Sequence, residues 1–309
     1  MKNFWLNSKP TFAFTSKTSL DIELKFQTIY PNTFPVLFSS ARASIPAILE
    51  LYNKGRNDQI FTAPYSSHCV LEAISRKSTP TLNYKANLSF NYHQLGFVFA
   101  NLPSEIIVDD RADSFIFNSE NIFKHSAISL ISLPKVLGTF SGGLCLCQSI
   151  EIANELKNIR DYNFDYSFLK YITKSLSYYR KHPFLQLWHG IESVPSRLHE
   201  FALNNISEKL NSFHSFSELR KNNIETLKDI IPIKQNDISF PSAIPFRATQ
   251  DIIQYFKQYN IEIEKRFFNS SLDWALPKLE QLHLLPVHHE IPSNIIRNAP
   301  WTSLSSAQI

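Results

Sequence analysis

Cysteine is scarce in this chain: 309 residues contain three, Cys69, Cys145 and Cys147. An odd handful in a long chain argues against a disulfide framework and for a reducing compartment. Long apolar runs are missing too, and none approaches the roughly 18 residues that a membrane-spanning helix requires. Met1 to Leu6 lacks the apolar core of a secretion signal, so the expectation is a cytoplasmic protein with no membrane partner. Charge of one sign is not concentrated anywhere: the net charge is +4 and Lys and Arg are dispersed, which leaves no electrostatic footprint for nucleic acid. The nearest thing to a basic run, Lys170 to Lys181, reads as a solvated helix face. Internal repeats and low-complexity segments are absent, and only six glycines are present.

What is there is an ordinary globular composition, 43% hydrophobic and 19% charged, long enough to bury a large core. Val36 to Tyr52 joins a short apolar run to small hydroxyl residues and then a helical pattern. Amides at such a helix start favour an anion, although Ser40 also suits an ordinary N-cap. Ile60 to Ile74 repeats the order strand, polar turn, helix, and its Tyr65 and His68 could stack on a planar ligand or serve as packing and capping residues. Glu105 to Asp110 is a buried parallel-type strand ending in paired carboxylates, where α/β sheets place ligand groups and where turn formers are also common.

Ser129 to Cys147 then reads as strand, turn, strand. It holds Lys135 between an apolar run and the pair Gly142-Gly143. An apolar surround would lower the pKa of such an amine and suit it to covalent chemistry. Cys145 and Cys147 share one strand face and read as core residues, with a metal or redox pair as the alternative. Ser149 to Tyr179 reads as helical, Trp188 to Glu200 as a loop, and the stretch from Ser196 to about Ile231 as long amphipathic helix. Ile238 to Ala248 reads as one strand, 249 to 259 as a helix and Ile261 to Phe268 as a strand. Leu284 to Glu290 is a strand end followed by a short helix. His288, His289 and Glu290 alternate faces there, which disfavours a metal site. The expected organisation is an N-terminal arm and large domain over residues 1–210 and a small α/β domain over 211–309.

Taken together these stretches resemble the DegT/StrS family of nucleotide-sugar aminotransferases. Ser40-Ala41-Arg42 resembles its phosphate-binding helix start, and Pro64-Tyr65 its next turn. Asp109-Asp110-Arg111-Ala112-Asp113-Ser114 is similar to its Glu-Asp-x-Ala-His/Gln-Ser motif. Ser132-Leu133-Pro134-Lys135 resembles its Schiff-base lysine segment, and Leu285-Pro286-Val287-His288 its C-terminal strand. The resemblance implies the α/β aspartate-aminotransferase-like fold, a mostly parallel sheet flanked by helices, with pyridoxal 5'-phosphate (PLP) as cofactor. It makes Lys135 the catalytic lysine and puts Asp110 on the pyridine nitrogen and Asp113 beside the ring hydroxyl. Ala41, Arg42 and Ser132 fall near the phosphate, with Tyr65 and His68 nearby. It further implies transfer of an amino group, commonly from glutamate, to a nucleotide-linked keto-sugar for surface polysaccharide, in a homodimer.

The chain departs from the family pattern at Asp113, where the family has His or Gln, and at Glu192, which aligns with an Asn that reaches the partner's cofactor. Ala41 stands where a glycine is usual. Those departures support an alternative, a diverged member that binds or regulates without transamination. A third reading keeps PLP and changes the reaction.

Overall fold

The computed structural model describes residues 2, 5–6, 8–97, 104–162, 164–179, 183–231 and 238–301. The N-terminal part runs α1 (Ser19–Ile29), β1 (Phe34–Phe38), α2 (Ala41–Leu51), β2 (Gln59–Thr62), α3 (His68–Ser75), β3 (Thr79–Thr81), β4 (Leu88–Tyr92), β5 (Ile106–Asp110) and β6 (Phe115–Ile116). The middle adds β7 (Ile128–Ser132), α4 (Leu133–Leu137), β8 (Gly143–Cys147), α5 (Ile150–Tyr162), α6 (Ser167–Tyr179), α7 (Phe184–Glu192), α8 (Glu200–Asn211) and α9 (Phe213–Leu227). The C-terminal part is β9 (Ser239–Phe240), β10 (Ala243–Phe246), α10 (Gln250–Gln258), β11 (Glu264–Asn269), β12 (Leu279–Pro286) and α11 (Ser293–Arg297).

Helix starts carry their own signals. Thr18 caps α1 and exchanges hydrogen bonds with Asp21, and the Ser40 hydroxyl accepts from Ala43 N at the head of α2.

Seven strands form the main sheet in the order β1-β8-β7-β5-β4-β2-β3. β2, β3, β4, β5 and β7 pair in parallel, and β8 lies antiparallel between β1 and β7. The sheet is covered on both faces, so its strands read as continuous apolar runs. Alternation along β8 shows the two faces: Cys145 and Cys147 pack with Val36, Phe38 and Leu130 under α2 and α5, while Leu144 and Leu146 join Leu37 and the C-terminal elements. Both thiols are buried core groups, and burial pushes Cys145 up to about 12. A smaller antiparallel sheet, β10-β12-β11, comes entirely from the C-terminal part.

Several expectations need correcting. Lys135 sits on a one-turn helix, α4, rather than in a plain turn: Pro134 presets the first turn and Gly138, with φ 70°, ends it. Trp188 to Glu192 lies in α7, not a loop. Leu187, Trp188 and Ile191 carry a helical spacing through Gly190. α8 starts at Glu200 rather than near Ser196, and the amphipathic stretch divides at Ser212. Ile238 to Ala248 supplies two strands to different sheets, β9 pairing β6 and β10 pairing β12. The expected solvated face of Lys170 to Lys181 turns inward at Lys170, which is 4% exposed. Lys174 lies over the Phe140 and Trp188 rings, and Arg180 and Lys181 lie outside the described residues. His289 stacks on Phe216 with centroids 3.7 Å apart, a packing role.

Candidate active site

Parallel strands bring their carboxyl ends to one edge of the sheet, and there the chemistry collects. β5 ends in Asp110, β4 in Tyr92 and β7 in Ser132, while β2 leads to Tyr65. Next to them a cleft of about 510 Å³ opens between this edge and the small sheet, lined on one side by Tyr65, His68, Tyr92, Asp113 and Lys135. Lys265, Arg266 and Gln281 of β11 and β12 line the other side.

Lys135 Nζ lies 2.9 Å from Asp113 Oδ1, and the lysine side chain keeps 24% exposure toward the cleft. Asp113 is itself buried, 1% exposed, and its Oδ2 accepts from Tyr92 OH at 2.6 Å. Burial pulls the Lys135 pKa down, but the Asp113 carboxylate overrides it and the net shift is upward. The sequence-based expectation of a lowered pKa is therefore corrected: a carboxylate from across the sheet edge replaces the apolar surround. On Asp113 burial acts upward while Lys135, Tyr92 and Trp5 act downward, and the net shift is down.

Asp110 lies behind this pair, 3% exposed, accepting from Ala112 N at 3.1 Å. Burial pushes its pKa up to about 6, with Lys135 opposing and Asp113 adding to the rise. Asp109, one residue earlier, points the other way. It binds His93 (2.8 Å), Arg111 (3.1 Å), Ser126 (2.9 Å) and Asn91 (3.2 Å), partners that outweigh burial and hold it ionised. The two neighbouring carboxylates thus divide: Asp109 pins the end of β5, and Asp110 stays near its protonation midpoint beside the lysine.

Ala41, Arg42 and Ser132 do not line the cleft. They meet around Gly142, which pairs with Ser40 and whose carbonyl accepts from Leu133 N at 3.2 Å. Gly143 fits against the first turn of α2 so closely that a Cβ would stand 2.1 Å from Ala41 N, which explains a glycine there. Arg42 Nη1 pairs with Glu192 Oε2 at 2.7 Å. Glu192, aligned with a residue directed at a partner subunit, here reaches its own chain's helix instead. Beside this turn lies a small cavity with Ser39, Ser40, Lys170 and Glu192 in its wall. Lys170 Nζ donates to Ser39 Oγ and Glu192 O, each at 3.0 Å, and to Val194 O, and burial lowers its pKa to about 7.

Four residues at or near the cleft escaped the sequence reading. Tyr92 was visible only as part of a strand end. Trp5 carried no motif, yet Lys135 Nζ sits 4.8 Å from its ring centroid. Arg266 lies over the same ring at 5.1 Å. Arg220, fully buried, donates to Val136 O at 2.9 Å and so caps the lysine helix.

A lysine and a buried carboxyl at neighbouring strand ends, over a sheet of this order, define the fold of PLP-dependent aminotransferases of fold type I. Residues 22–299 match the family model described as "Putative PLP-dependent aminotransferase", and the chain belongs to that family, whose cofactor is PLP. Among solved structures it is similar to DesV of S. venezuelae, with 15% identity, 94% of this chain and 91% of that chain covered and a TM-score of 0.63. A DegT DnrJ EryC1 StrS aminotransferase from Brucella abortus matches at 12% identity, 92% and 91% coverage and a TM-score of 0.62. DesI, determined in the presence of its TDP-sugar product, matches at 12% identity, 95% and 84% coverage and a TM-score of 0.59. No curated protein matches the sequence.

The residues present fit the ring of PLP. An amine within a cleft is available for its aldehyde, and a carboxyl titrating near 6 suits a pyridine nitrogen. The phosphate is fitted less well: the first turn of α2 and Ser132 do not line the cleft, Ala43 N is taken by Ser40 Oγ, and the positive charge of Arg42 is offset by Glu192.

Proposed function

We propose that this chain transfers an amino group, from glutamate as donor, to a nucleotide-linked keto-sugar, and that Lys135 is the residue that carries the cofactor. Bound PLP supplies an electrophilic carbonyl and an electron-withdrawing ring. The observation that carries the reading is the Lys135–Asp113 pair at 2.9 Å in the cleft wall with Asp110 behind it.

Lys135 must give up a proton from Nζ before it can bond to carbon, and the exposed side of the pair lets that proton leave to solvent. Freed again as an amine, Lys135 is placed to move a proton at the reacting carbon. Asp110 holds the proton at the ring nitrogen, and Asp109 with its four partners keeps the β5 end rigid beneath it. Asp113, fixed by Tyr92, would stand at the ring hydroxyl in place of the His or Gln of the family. Tyr65 and His68 would border the ring, and the first turn of α2 with Arg42 and Ser132 would take the phosphate only if this turn, now outside the cleft wall with Arg42 paired to Glu192, opened toward it.

The cleft is large enough for more than an amino acid, and Lys265 and Arg266 face its far side, a suitable wall for a nucleotide diphosphate. We place the enzyme in surface-polysaccharide synthesis, in the cytoplasm and as a homodimer, with domains at 1–210 and 211–309. The test incubates the PLP-loaded chain with glutamate and follows the cofactor's absorbance, then adds nucleotide-linked keto-sugars. A change with glutamate, reversed by one keto-sugar and giving the amino-sugar by mass, is the expected result. Reversal only by α-keto acids would reject the sugar acceptor.

A further inference from the structure

The N-terminal arm connects the small domain to the lysine helix. Lys2 pairs with Ile261: its N–H donates to Asn260 O and its carbonyl accepts from Glu262 N, each at 2.7 Å. Three residues on, Trp5 reaches the cleft, and Leu6, 5% exposed, packs on Gly138 at the end of α4. A Cβ on Gly138 would approach Leu6 Cβ to 3.2 Å. Trp5 is thus held on both sides of the chain position it occupies.

Its ring meets two cations, Lys135 Nζ at 4.8 Å and Arg266 Cζ at 5.1 Å from the centroid. Trp5 also acts on Asp113, in the direction that favours its carboxylate, and Asp113 is the group that pairs with Lys135 and accepts from Tyr92.

We propose that Trp5 is a positioning residue for Lys135: its ring face holds the ammonium against Asp113, so the arm sets where and in which protonation state the amine waits. The electrostatics support this reading. A ring face stabilises a cation by about 0.5–2 kcal/mol, and Trp5 also favours the Asp113 carboxylate, which in turn favours the ammonium. Both effects act in the same direction. The other groups that face Lys135 are Asp110 and Cys69, neither of which contacts Trp5 in the contacts described, and Arg266 lies on Trp5 rather than on the lysine. The arm and the small domain therefore meet the reactive amine through one side chain.

The inference rests on Lys135 as the working lysine, but its test needs no cofactor. The full chain, stripped of PLP with hydroxylamine, is acetylated briefly at a series of pH values, and modification of the Lys135 peptide is read by mass spectrometry against surface lysines. Trp5→Leu is expected to lower the midpoint of Lys135 reactivity by about half to one pH unit. Trp5→Phe, which keeps a ring face that holds a cation less strongly than an indole, is expected to fall between the two. An unchanged midpoint in Trp5→Leu overturns the proposal, and so does an equal shift in both variants, because the ring face would then contribute nothing. If Trp5→Leu does not fold, Trp5→Phe decides alone: a downward shift supports the role and no shift overturns it.

Discussion

Two lysines near the same sheet edge, Lys135 half-buried and Lys170 buried, have opposite electrostatics. Lys135 is paired with a carboxylate at 2.9 Å and is held as an ammonium above its ordinary pKa. Lys170 is surrounded by a hydroxyl and backbone carbonyls, its nearest carboxylates exert only a distant pull, and burial brings it down to about 7. Burial acts downward on both, so a contacting countercharge decides the sign. The lysine with the lower pKa is not the one in the cleft, so under the proposed assignment location, rather than basicity, selects the working amine.

Asp113→Asn would break the contrast most strongly. It removes the countercharge while keeping the shape, so Lys135 is expected to follow burial and lose about 1–3 units of pKa. The pH dependence of acetylation at the Lys135 peptide checks this, and a midpoint that stays put would mean that Asp110 supplies the field instead.

Next in size is Asp110→Asn. The folded pKa of Asp110, about 6, lies above the ordinary 3.8, so the folded chain binds this proton more tightly than the unfolded one. Stability from this residue therefore falls as pH rises from about 4 to about 6. The neutral amide removes that loss. Without cofactor, the variant is expected to gain up to about 3 kcal/mol at pH 7, measured by urea unfolding, while losing transamination. A gain that persists at pH 3 would point to packing and not to charge.

Lys170→Met tests the other lysine of the comparison, through a slope with pH. The folded pKa of Lys170 lies below the ordinary 10.5, so its contribution to stability rises with pH from about 7 toward 10, by up to about 1.4 kcal/mol per pH unit. The same contribution is lost as pH falls through 7. In the variant that slope is expected to disappear, read as the difference in unfolding free energy between pH 7 and pH 9.

Much of the layer structure was legible in the sequence because two-sided burial writes itself as apolar runs ending in polar turns. Val36 to Phe38, Ile60 to Thr62 and Ile106 to Val108 all read that way, and the positions of Asp110 and Lys135 at strand ends followed from them. What was not legible depends on contacts across the chain. The charge state of Lys135 is set by Asp113 and Trp5, which neither periodicity nor spacing connects to it. Trp188 to Glu192 reads as loop but belongs to α7, where Gly190 sits in open surroundings: a Cβ there would meet nothing within 4 Å. Arg42 suggested an anion site, while its partner Glu192 comes from a helix far along the chain.

The most direct measurement is borohydride reduction of the full chain after incubation with PLP, followed by peptide mapping. Cofactor mass on the peptide containing Lys135, absent in Lys135→Ala, is the expected result. Cofactor mass on the Lys170 peptide, or none on Lys135, would contradict the assignment of the working lysine.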